Sequence, residues 1–218
     1  MWDQLPFRDR DDAGRKLGRA LAAKLGRRDD LLILGLPRGG VPVAAHVAEA
    51  LGAPLDVFIV RKLGVPGHEE LAMGAIASGG VRVLNRDVLD SLPVPQKSID
   101  AVAEREQREL ERREREYRGA RPPLDVRGKT VIVVDDGLAT GSTMRAAVSA
   151  LRKMDPRAVI VAVPVAARST CDDFRREGAV DDIVCLFTPE PFQAVGLWYE
   201  DFAQTTDAEV HELLGTAV

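Results

Sequence analysis

Continuously apolar runs alternate with helical patterns along most of the chain. Runs such as "LLILGL" (31–36) are typical of strands that are buried on both faces. The predicted strands are 31–36, 55–60, 129–135, 158–165 and 182–187. The predicted helices are 11–26, 41–52, 98–118, 143–153 and 168–177. Regular alternation of this kind indicates βαβ units, so we expect an α/β fold with a parallel sheet flanked by helices.

Two stretches interrupt the alternation. Residues 61–74, "RKLGVPGHEELAMG", are rich in Gly, Pro and charge, and predict a long mobile loop. "MGAIAS" and "VRVLN" predict a small hairpin around Gly79 and Gly80. The helix at 98–118 carries Glu and Arg four residues apart, which predicts a solvated helix with an apolar seam. A dimer contact or a phosphate-facing arginine is the alternative for that helix.

Composition narrows the class of protein. The chain has 218 residues, of which 45% are hydrophobic, with a net charge of −4. The acidic balance argues against a nucleic-acid or anionic-membrane partner, and no apolar run approaches the ~18 residues needed to span a bilayer. Cys171 and Cys185 lack metal-ligand spacing and predict no disulfide framework. Because the N-terminus also lacks a secretory pattern, we expect a cytoplasmic protein.

The stretch "VIVVDDGLATGSTMRAA" (131–147) carries the clearest chemistry. Asp135 and Asp136 end a strand, where ligands of open parallel sheets bind. The loop that follows supplies backbone N–H groups and hydroxyls, and a helix begins near Thr143, which together suit a phosphate. A nucleotide P-loop fits poorly, because Gly137 and Gly141 are too close and Ser142 replaces the lysine. Phosphate in the loop and sugar hydroxyls at the two carboxylates predict a ribose 5-phosphate; a metal at the pair is the alternative.

The segment "VIVVDDGLATGSTM" resembles the signature of type I phosphoribosyltransferases, which bind 5-phosphoribosyl-1-pyrophosphate (PRPP). The resemblance implies a Rossmann-like sheet and one domain over 1–218, with its core at about 30–188, an excursion at about 62–120 and a base-covering hood at about 189–218. It also implies that Asp135 and Asp136 contact the ribose and Mg²⁺. Phosphate contacts are implied for Ala139, Thr140, Gly141, Ser142 and Thr143.

A second segment, "LGLPRGGVPVA" (34–44), is similar to the pyrophosphate loop of the same family. The resemblance makes Arg38 the pyrophosphate contact, with Gly39 and Gly40 admitting close backbone approach. Taken alone, this segment favours an ordinary βα turn, and only together with the downstream segment does it favour a pyrophosphate loop. In the family a flexible loop closes over the reaction centre, so Arg61 and Lys62 are candidate pyrophosphate contacts; solvent-facing charges are the alternative for both.

The aromatic C-terminal segment is the candidate hood. Phe192, Val195 and Trp198 are the expected base contacts, with Tyr199 a further stacking candidate, although such aromatics also commonly anchor a tail to the core. Members that act on hypoxanthine and guanine carry an acidic residue where this chain has Ala139. That departure puts 6-oxopurine salvage by that mechanism in doubt and leaves the acceptor open.

The resemblance implies a Mg²⁺-dependent enzyme of nucleotide salvage that transfers ribose 5-phosphate from PRPP to a nitrogenous base. PRPP and a small base are then the partners, and a homodimer is left open. A PRPP- or nucleotide-binding regulator without transferase activity is the second hypothesis. Hydrolysis of a phosphate ester or pyrophosphate is the third, since fold does not fix chemistry.

Overall fold

The structure is a computed structural model that describes residues 7–216. Within this range the strands are β1 (Leu31–Gly35), β2 (Leu55–Val57), β3 (Val60–Val65), β4 (His68–Ala77), β5 (Val81–Leu84), β6 (Thr130–Val134), β7 (Ala158–Val165) and β8 (Asp182–Phe187). The helices are α1 (Arg10–Leu25), α2 (Gly40–Leu51), α3 (Arg86–Ser91), α4 (Gln96–Arg118), α5 (Ser142–Arg152), α6 (Arg168–Glu177) and α7 (Asp207–Thr216). A 3₁₀ turn, Val195–Trp198, precedes α7.

The central sheet is parallel and has the strand order β2-β1-β6-β7-β8. Every residue of β1 and β6 is buried, as their continuous apolar runs predict. The chain runs outward from β1 to β2 on one side, and from β6 to β8 on the other. The switch point therefore lies between β1 and β6, and the loops after these two strands border it. The predicted α/β fold is confirmed.

Helices cover both faces of this sheet. Leu17 and Leu21 of α1 and Val47 of α2 share one buried cluster with Ile33 of β1. On the opposite face, α5 and α6 pack against the alternate residues of the same strands, among them Leu34 of β1. Because side chains of a strand point alternately to the two faces, each central strand contributes to both clusters.

A separate antiparallel sheet, in the order β3-β4-β5, replaces the long mobile loop that the sequence predicts at 61–74. That prediction was wrong. Pro66 and Gly67 form a tight turn, in which Gly67 has a φ of +80°, and Pro followed by a left-handed Gly is typical of such turns. The register shifts around Gly64 interrupt the alternation that would have marked the strands. The hairpin expected around Gly79 and Gly80 is present as β4 and β5.

The predicted strand at 55–60 ends earlier, because β2 stops at Val57 and β3 leaves the central sheet at Val60. Helix α4 has the expected seam, with Ile99, Val102 and Leu110 buried. Arg118 at the end of α4 lies four residues after Glu114, but its ion pair is with Asp56. Its guanidinium donates two hydrogen bonds of 2.9 Å to Asp56 of β2.

Cys171 of α6 and Cys185 of β8 are joined by a disulfide, which corrects the expectation that the chain has none. Helix α6 folds back along β8, so that two residues 14 positions apart in sequence meet side by side. Among the described helices, none is both long and apolar enough to cross a lipid bilayer.

Candidate active site

The loops after β1 and β6 meet at the switch point. A Cβ atom on Gly39 would collide with Oδ2 of Asp136, and one on Gly40 would lie 2.6 Å from the carbonyl oxygen of Val134. A Cβ at either position would force the neighbouring atoms to move. Glycine at positions 39 and 40 therefore allows the loop after β1 to approach the end of β6 this closely. The segment that resembles a pyrophosphate loop and the acidic pair therefore border the same site.

The acidic pair lies side by side at the end of β6. The backbone N–H of Asp136 donates to Oδ1 of Asp135 at 2.9 Å. Burial raises the pKa of Asp135 well above its usual value, and the neighbouring Asp136 charge raises it further. Burial also raises the pKa of Asp136, although Arg10 opposes that shift. Two carboxyl groups with raised pKa values at the carboxyl edge of a sheet are costly to the fold, and such clusters are typical of functional sites.

Two residues that sequence reasoning did not assign to Asp136 hold it in place. Arg10, at the start of α1, binds Oδ2 through Nε at 2.9 Å and Nη2 at 2.8 Å. The hydroxyl of Tyr199 donates to the backbone oxygen of Asp136 at 2.6 Å. These contacts join residues 126 and 63 positions apart. No local pattern marks such long-range partners, although Tyr199 is one of the aromatic candidates of the C-terminal segment.

The loop between β6 and α5 presents exposed hydroxyl groups beside the N-terminus of a helix. Gly141 adopts a φ of +71° at the N-cap of α5, and no side chain caps the helix there. Thr140 and Ser142 are exposed, with their hydroxyl oxygens 3.0 Å apart, and Thr143 is also exposed. The hydroxyl of Thr170 on α6 donates to the carbonyl of Ala139 at 2.5 Å. Hydroxyls and helix N–H groups thus face outward at one place.

Arg38, the predicted pyrophosphate contact, follows β1 and is about one third exposed, at 32%. Its Nη1 lies 3.7 Å from the carboxylate of Asp207 at the start of α7. Asp207 also accepts a hydrogen bond of 2.5 Å from the hydroxyl of Tyr117, a residue of α4 that is 2% exposed. Burial and this hydrogen bond raise the pKa of Tyr117 to about 12. Asp207 and Tyr117 are therefore neighbours of the candidate site that the sequence did not indicate.

The two candidate cations of the antiparallel sheet differ in their surroundings. Arg61 faces α4, where its Nε and Nη2 bind Oε2 of Glu106 at 2.9 and 2.6 Å. Lys62 points to the other side of β3 and is half exposed, with the carboxylate of Glu70 3.9 Å away. Lys62 is consequently the freer of the two to meet a ligand, while Arg61 is committed to a buried carboxylate.

The C-terminal segment reaches the acidic loop through Val195. A Cβ on Gly137 would lie 2.5 Å from Cγ1 of Val195, so the side chain of Val195 packs directly against the backbone of Gly137. Phe192 is half-buried, whereas Trp198 is 6% exposed and packs edge-on against Phe187 at 5.3 Å. Val195 thus borders the candidate site, and most of the Trp198 ring is covered by protein.

The acidic pair supplies part of the donor set that Mg²⁺ requires. Within residues 7–216 no group of three or more His, Cys, Asp or Glu side chains is arranged to hold a metal ion. Mg²⁺ keeps several waters and often takes only one or two carboxylates together with substrate oxygens. Asp135 and Asp136 therefore fit a cation that a phosphorylated substrate shares, and do not form a complete site by themselves.

An open parallel sheet with two glycine-containing loops at its switch point defines an α/β protein whose ligand site lies at the carboxyl edge of the sheet. A family model described as phosphoribosyl transferase domain matches residues 10–183. The chain belongs to the type I phosphoribosyltransferase family, which confirms the resemblance drawn from the sequence.

Individual relatives agree with this membership. A protein of Mycobacterium tuberculosis (strain H37Rv), named "Putative phosphoribosyl transferase", is 46% identical over 213 residues, covering 97% of this chain and 47% of its own length. The chain thus spans about half the length of this curated relative. The crystal structure of TT1426 from Thermus thermophilus is 44% identical, covers 95% of this chain and 97% of its own, and has a TM-score of 0.83. A "Bifunctional protein PyrR" of Chloroflexus aurantiacus is 34% identical over 116 residues, 52% of this chain and 58% of its own.

Proposed function

We propose that the chain is a Mg²⁺-dependent phosphoribosyltransferase that transfers ribose 5-phosphate from PRPP to a nitrogenous base and releases pyrophosphate. The observation that carries the proposal is the collision that a Cβ on Gly39 would make with Asp136. Because the two loops are this close, segment 34–44, which is similar to a pyrophosphate loop, lies directly against segment 131–144, which is similar to a PRPP signature. A ligand with a phosphate, a sugar diol and a pyrophosphate matches these features better than a simple phosphate ester.

Each part of PRPP has a counterpart. The 5-phosphate binds in the loop of Ala139 and Gly141, with the hydroxyls of Thr140, Ser142 and Thr143 and the N–H groups at the start of α5 as donors. The carboxylates of Asp135 and Asp136 accept hydrogen bonds from the ribose hydroxyls. Arg38 and the N–H groups of Gly39 and Gly40 hold the pyrophosphate, where Arg38 exchanges Asp207 for the more highly charged ligand.

In the transfer step a ring nitrogen of the base attacks C1 of the ribose on the face opposite the pyrophosphate. The C1–O bond breaks, its electron pair stays with the pyrophosphate oxygen, and the proton of the attacking nitrogen is lost to solvent. Positive charge develops on the sugar ring, so the contribution of the chain is to hold the ring and to neutralise the leaving group. Mg²⁺, held by Asp135, Asp136 and substrate oxygens, supplies further neutralisation when bound.

Lys62 approaches the leaving pyrophosphate when the β3–β4 hairpin bends over the site, and Arg61 fixes the base of that hairpin through Glu106. Phe192, Val195 and Trp198 belong to the hood that covers the base, with Val195 nearest the ribose because it touches Gly137. Covering the site matters because water competes with the base for the sugar carbon.

The test incubates the protein with PRPP, Mg²⁺ and a panel of heterocyclic bases, and measures released pyrophosphate together with the new nucleotide. We expect pyrophosphate release that depends on one base or a few, and its loss in the variant with Asp135→Asn and Asp136→Asn. A matched control replaces two exposed carboxylates of α3 in the variant with Asp87→Asn and Asp90→Asn.

Calorimetry with PRPP separates the competing readings. Binding of PRPP without turnover on any base would support a regulatory protein in place of an enzyme. Release of phosphate or pyrophosphate without a base would support hydrolysis. Absence of PRPP binding in the folded protein would overturn the proposal altogether.

A further inference from the structure

Arg10 makes an unusually complete set of contacts for a residue in the first turn of a helix. Its Nε and Nη2 both bind Oδ2 of Asp136, and its Nη1 donates to the carbonyl oxygen of Ala203 at 2.6 Å. The guanidinium also lies over the ring of Phe202, 3.9 Å from its centroid. The side chain of Arg10 is 12% exposed. A guanidinium that is held on three sides in this way has little rotational freedom.

The contacts to Asp136 are one-sided. Both donors of Arg10 go to Oδ2, and among the described residues no hydrogen bond to Oδ1 is formed. Oδ1 therefore keeps its capacity to accept a hydrogen bond, while Oδ2 fixes the plane of the carboxylate. The Asp136 carboxylate is thus oriented through one oxygen, while the other oxygen can accept a hydrogen bond from a ligand hydroxyl.

Phe202 and Ala203, which contact the guanidinium of Arg10, belong to the C-terminal segment. The ring of Phe202 lies against Gly196, where a Cβ would approach Cδ1 of that ring to 2.7 Å. Gly196 follows Val195, which touches Gly137 directly after the acidic pair. Arg10 thus connects α1, the ribose-facing carboxylate and the segment assigned to the hood.

We propose that Arg10 is a positioning residue for the sugar diol: it orients the Asp136 carboxylate so that Oδ1 meets a ribose hydroxyl, and Phe202 and Ala203 hold the guanidinium in place. The proposal rests on the proposed function, because it takes the ligand of Asp136 to be a ribose. Arg10 itself does not touch the ligand. The planar fork of arginine is required, since lysine cannot supply three fixed donors and stack on a ring.

The experiment compares Arg10→Met and Arg10→Lys with the wild-type protein in calorimetric titrations with ribose 5-phosphate and with inorganic phosphate. A charge-assisted contact that orients a binding group is expected to change the dissociation constant for ribose 5-phosphate by about tenfold or more in Arg10→Met. Arg10→Lys is expected to lose roughly half of that effect on a logarithmic scale. The constant for inorganic phosphate should change by less than about twofold in both.

A double-mutant cycle tests whether Arg10 acts through Asp136. In an Asp136→Asn background, Arg10→Met should change ribose 5-phosphate affinity by less than about twofold, because the carboxylate that it orients is gone. Arg15→Met is the matched control, since Arg15 lies on the exposed face of the same helix. Melting temperatures of all variants report whether they are folded, and if Arg10→Met is not, Arg10→Lys carries the test.

The outcomes distinguish failure of the proposed function from failure of the role assigned to Arg10. A wild-type protein that binds neither ribose 5-phosphate nor PRPP overturns the proposed function and this inference with it. A wild-type protein that binds both, with unchanged affinity in folded Arg10→Met, overturns the role of Arg10 alone. Equal losses for ribose 5-phosphate and inorganic phosphate would also overturn that role, because they would indicate a general structural effect. Losses confined to the sugar, and absent in the Asp136→Asn background, support it.

Discussion

Gly39 lies against the carboxylate of Asp136 so closely that any side chain at position 39 would force this carboxylate to move. The Cβ of an alanine there would collide with Oδ2, the oxygen that Arg10 holds, and would lie 3.2 Å from Nε of Arg10 itself. A single methyl group at this position therefore tests whether the contact between the loops is needed for ligand binding.

We expect Gly39→Ala to cost about 1–3 kcal/mol of unfolding free energy, as overpacking of a rigid contact usually does. It should also weaken PRPP binding by more than tenfold, because Asp136 must move away from its place. Urea denaturation and calorimetry measure the two effects. The control Gly215→Ala lies in α7 with open space around it, and should leave stability equal or higher. Normal PRPP affinity in a folded Gly39→Ala would contradict the shared site.

Asp135 gives a prediction about pH. Burial and the neighbouring carboxylate hold the pKa of Asp135 above its unfolded value, so the folded chain binds this proton more tightly than the unfolded chain. The stability conferred by that proton is present below an unfolded pKa of about 4, and is lost as the pH rises through the folded pKa. Asp135→Asn has no such proton to lose.

Asp135→Asn should therefore melt at a higher temperature than the wild type at pH 8, and the gap should narrow towards pH 4. Each kcal/mol corresponds to about 2–4 °C for a chain of this size. The amide oxygen still accepts the hydrogen bond from the N–H of Asp136, which limits other changes. Asp90→Asn on the exposed side of α3 provides the control in the same calorimetric scans. A lower melting temperature for Asp135→Asn at pH 8 would show that the carboxylate is not costly to the fold.

Periodicity was sufficient to predict the central sheet, because β1 and β6 are buried on both faces and read as unbroken apolar runs. It failed for β3 and β4. Their alternation is broken at Gly64, where the register shifts, and charged residues occupy the exposed end of β4. The Pro66–Gly67 pair was the available signal, since a turn of that type joins two strands as readily as it occurs in a loop.

The acidic pair and its loop could be predicted as a candidate site from sequence because they are contiguous and combine a strand end, a loop and a helix start. Arg10 could not, because its contact with Asp136 spans 126 positions and depends on how α1 crosses the sheet. An arginine among other charged residues at a helix start is indistinguishable from a solvated one. Charge partners across the fold therefore need coordinates, whereas motifs that combine a strand end, a loop and a helix start do not.

The hydroxyl of Thr170 links α6 to the loop between β6 and α5, which is the proposed phosphate site. The side chain is buried and donates to the carbonyl of Ala139. Thr170→Val keeps the shape and removes the donor, so we expect a loss of about 1 kcal/mol in unfolding free energy. The affinity for ribose 5-phosphate should fall about threefold because the loop is less well held. Thr170→Ser keeps the hydroxyl and should restore most of both; equal losses in the two variants would assign the effect to packing.

Arg61 and Lys62 are neighbours on β3 with opposite expected roles. Arg61→Met removes both donors from Oε2 of Glu106, which is 8% exposed, and leaves only the contact of Arg105 with Oε1 at 3.1 Å. Arg61 is itself about one third exposed, so solvent moderates the cost, and we expect about 1–3 kcal/mol of lost stability. Lys62→Met removes only a weak surface contact with Glu70, and should change stability by less than about 0.5 kcal/mol.

The effects on the rate of transfer should have the opposite order, with the larger loss in Lys62→Met. If Lys62 neutralises the departing pyrophosphate, Lys62→Met lowers kcat for transfer by about tenfold or more, with KM for PRPP changed much less, because Lys62 then acts on the additional negative charge that develops on the leaving oxygen as the C1–O bond breaks. Pyrophosphate release measured over a range of PRPP concentrations separates the two constants. Lys97→Met, at an exposed position of α4, controls for the loss of a surface charge. An unchanged kcat in Lys62→Met would leave the hairpin without a direct part in the reaction.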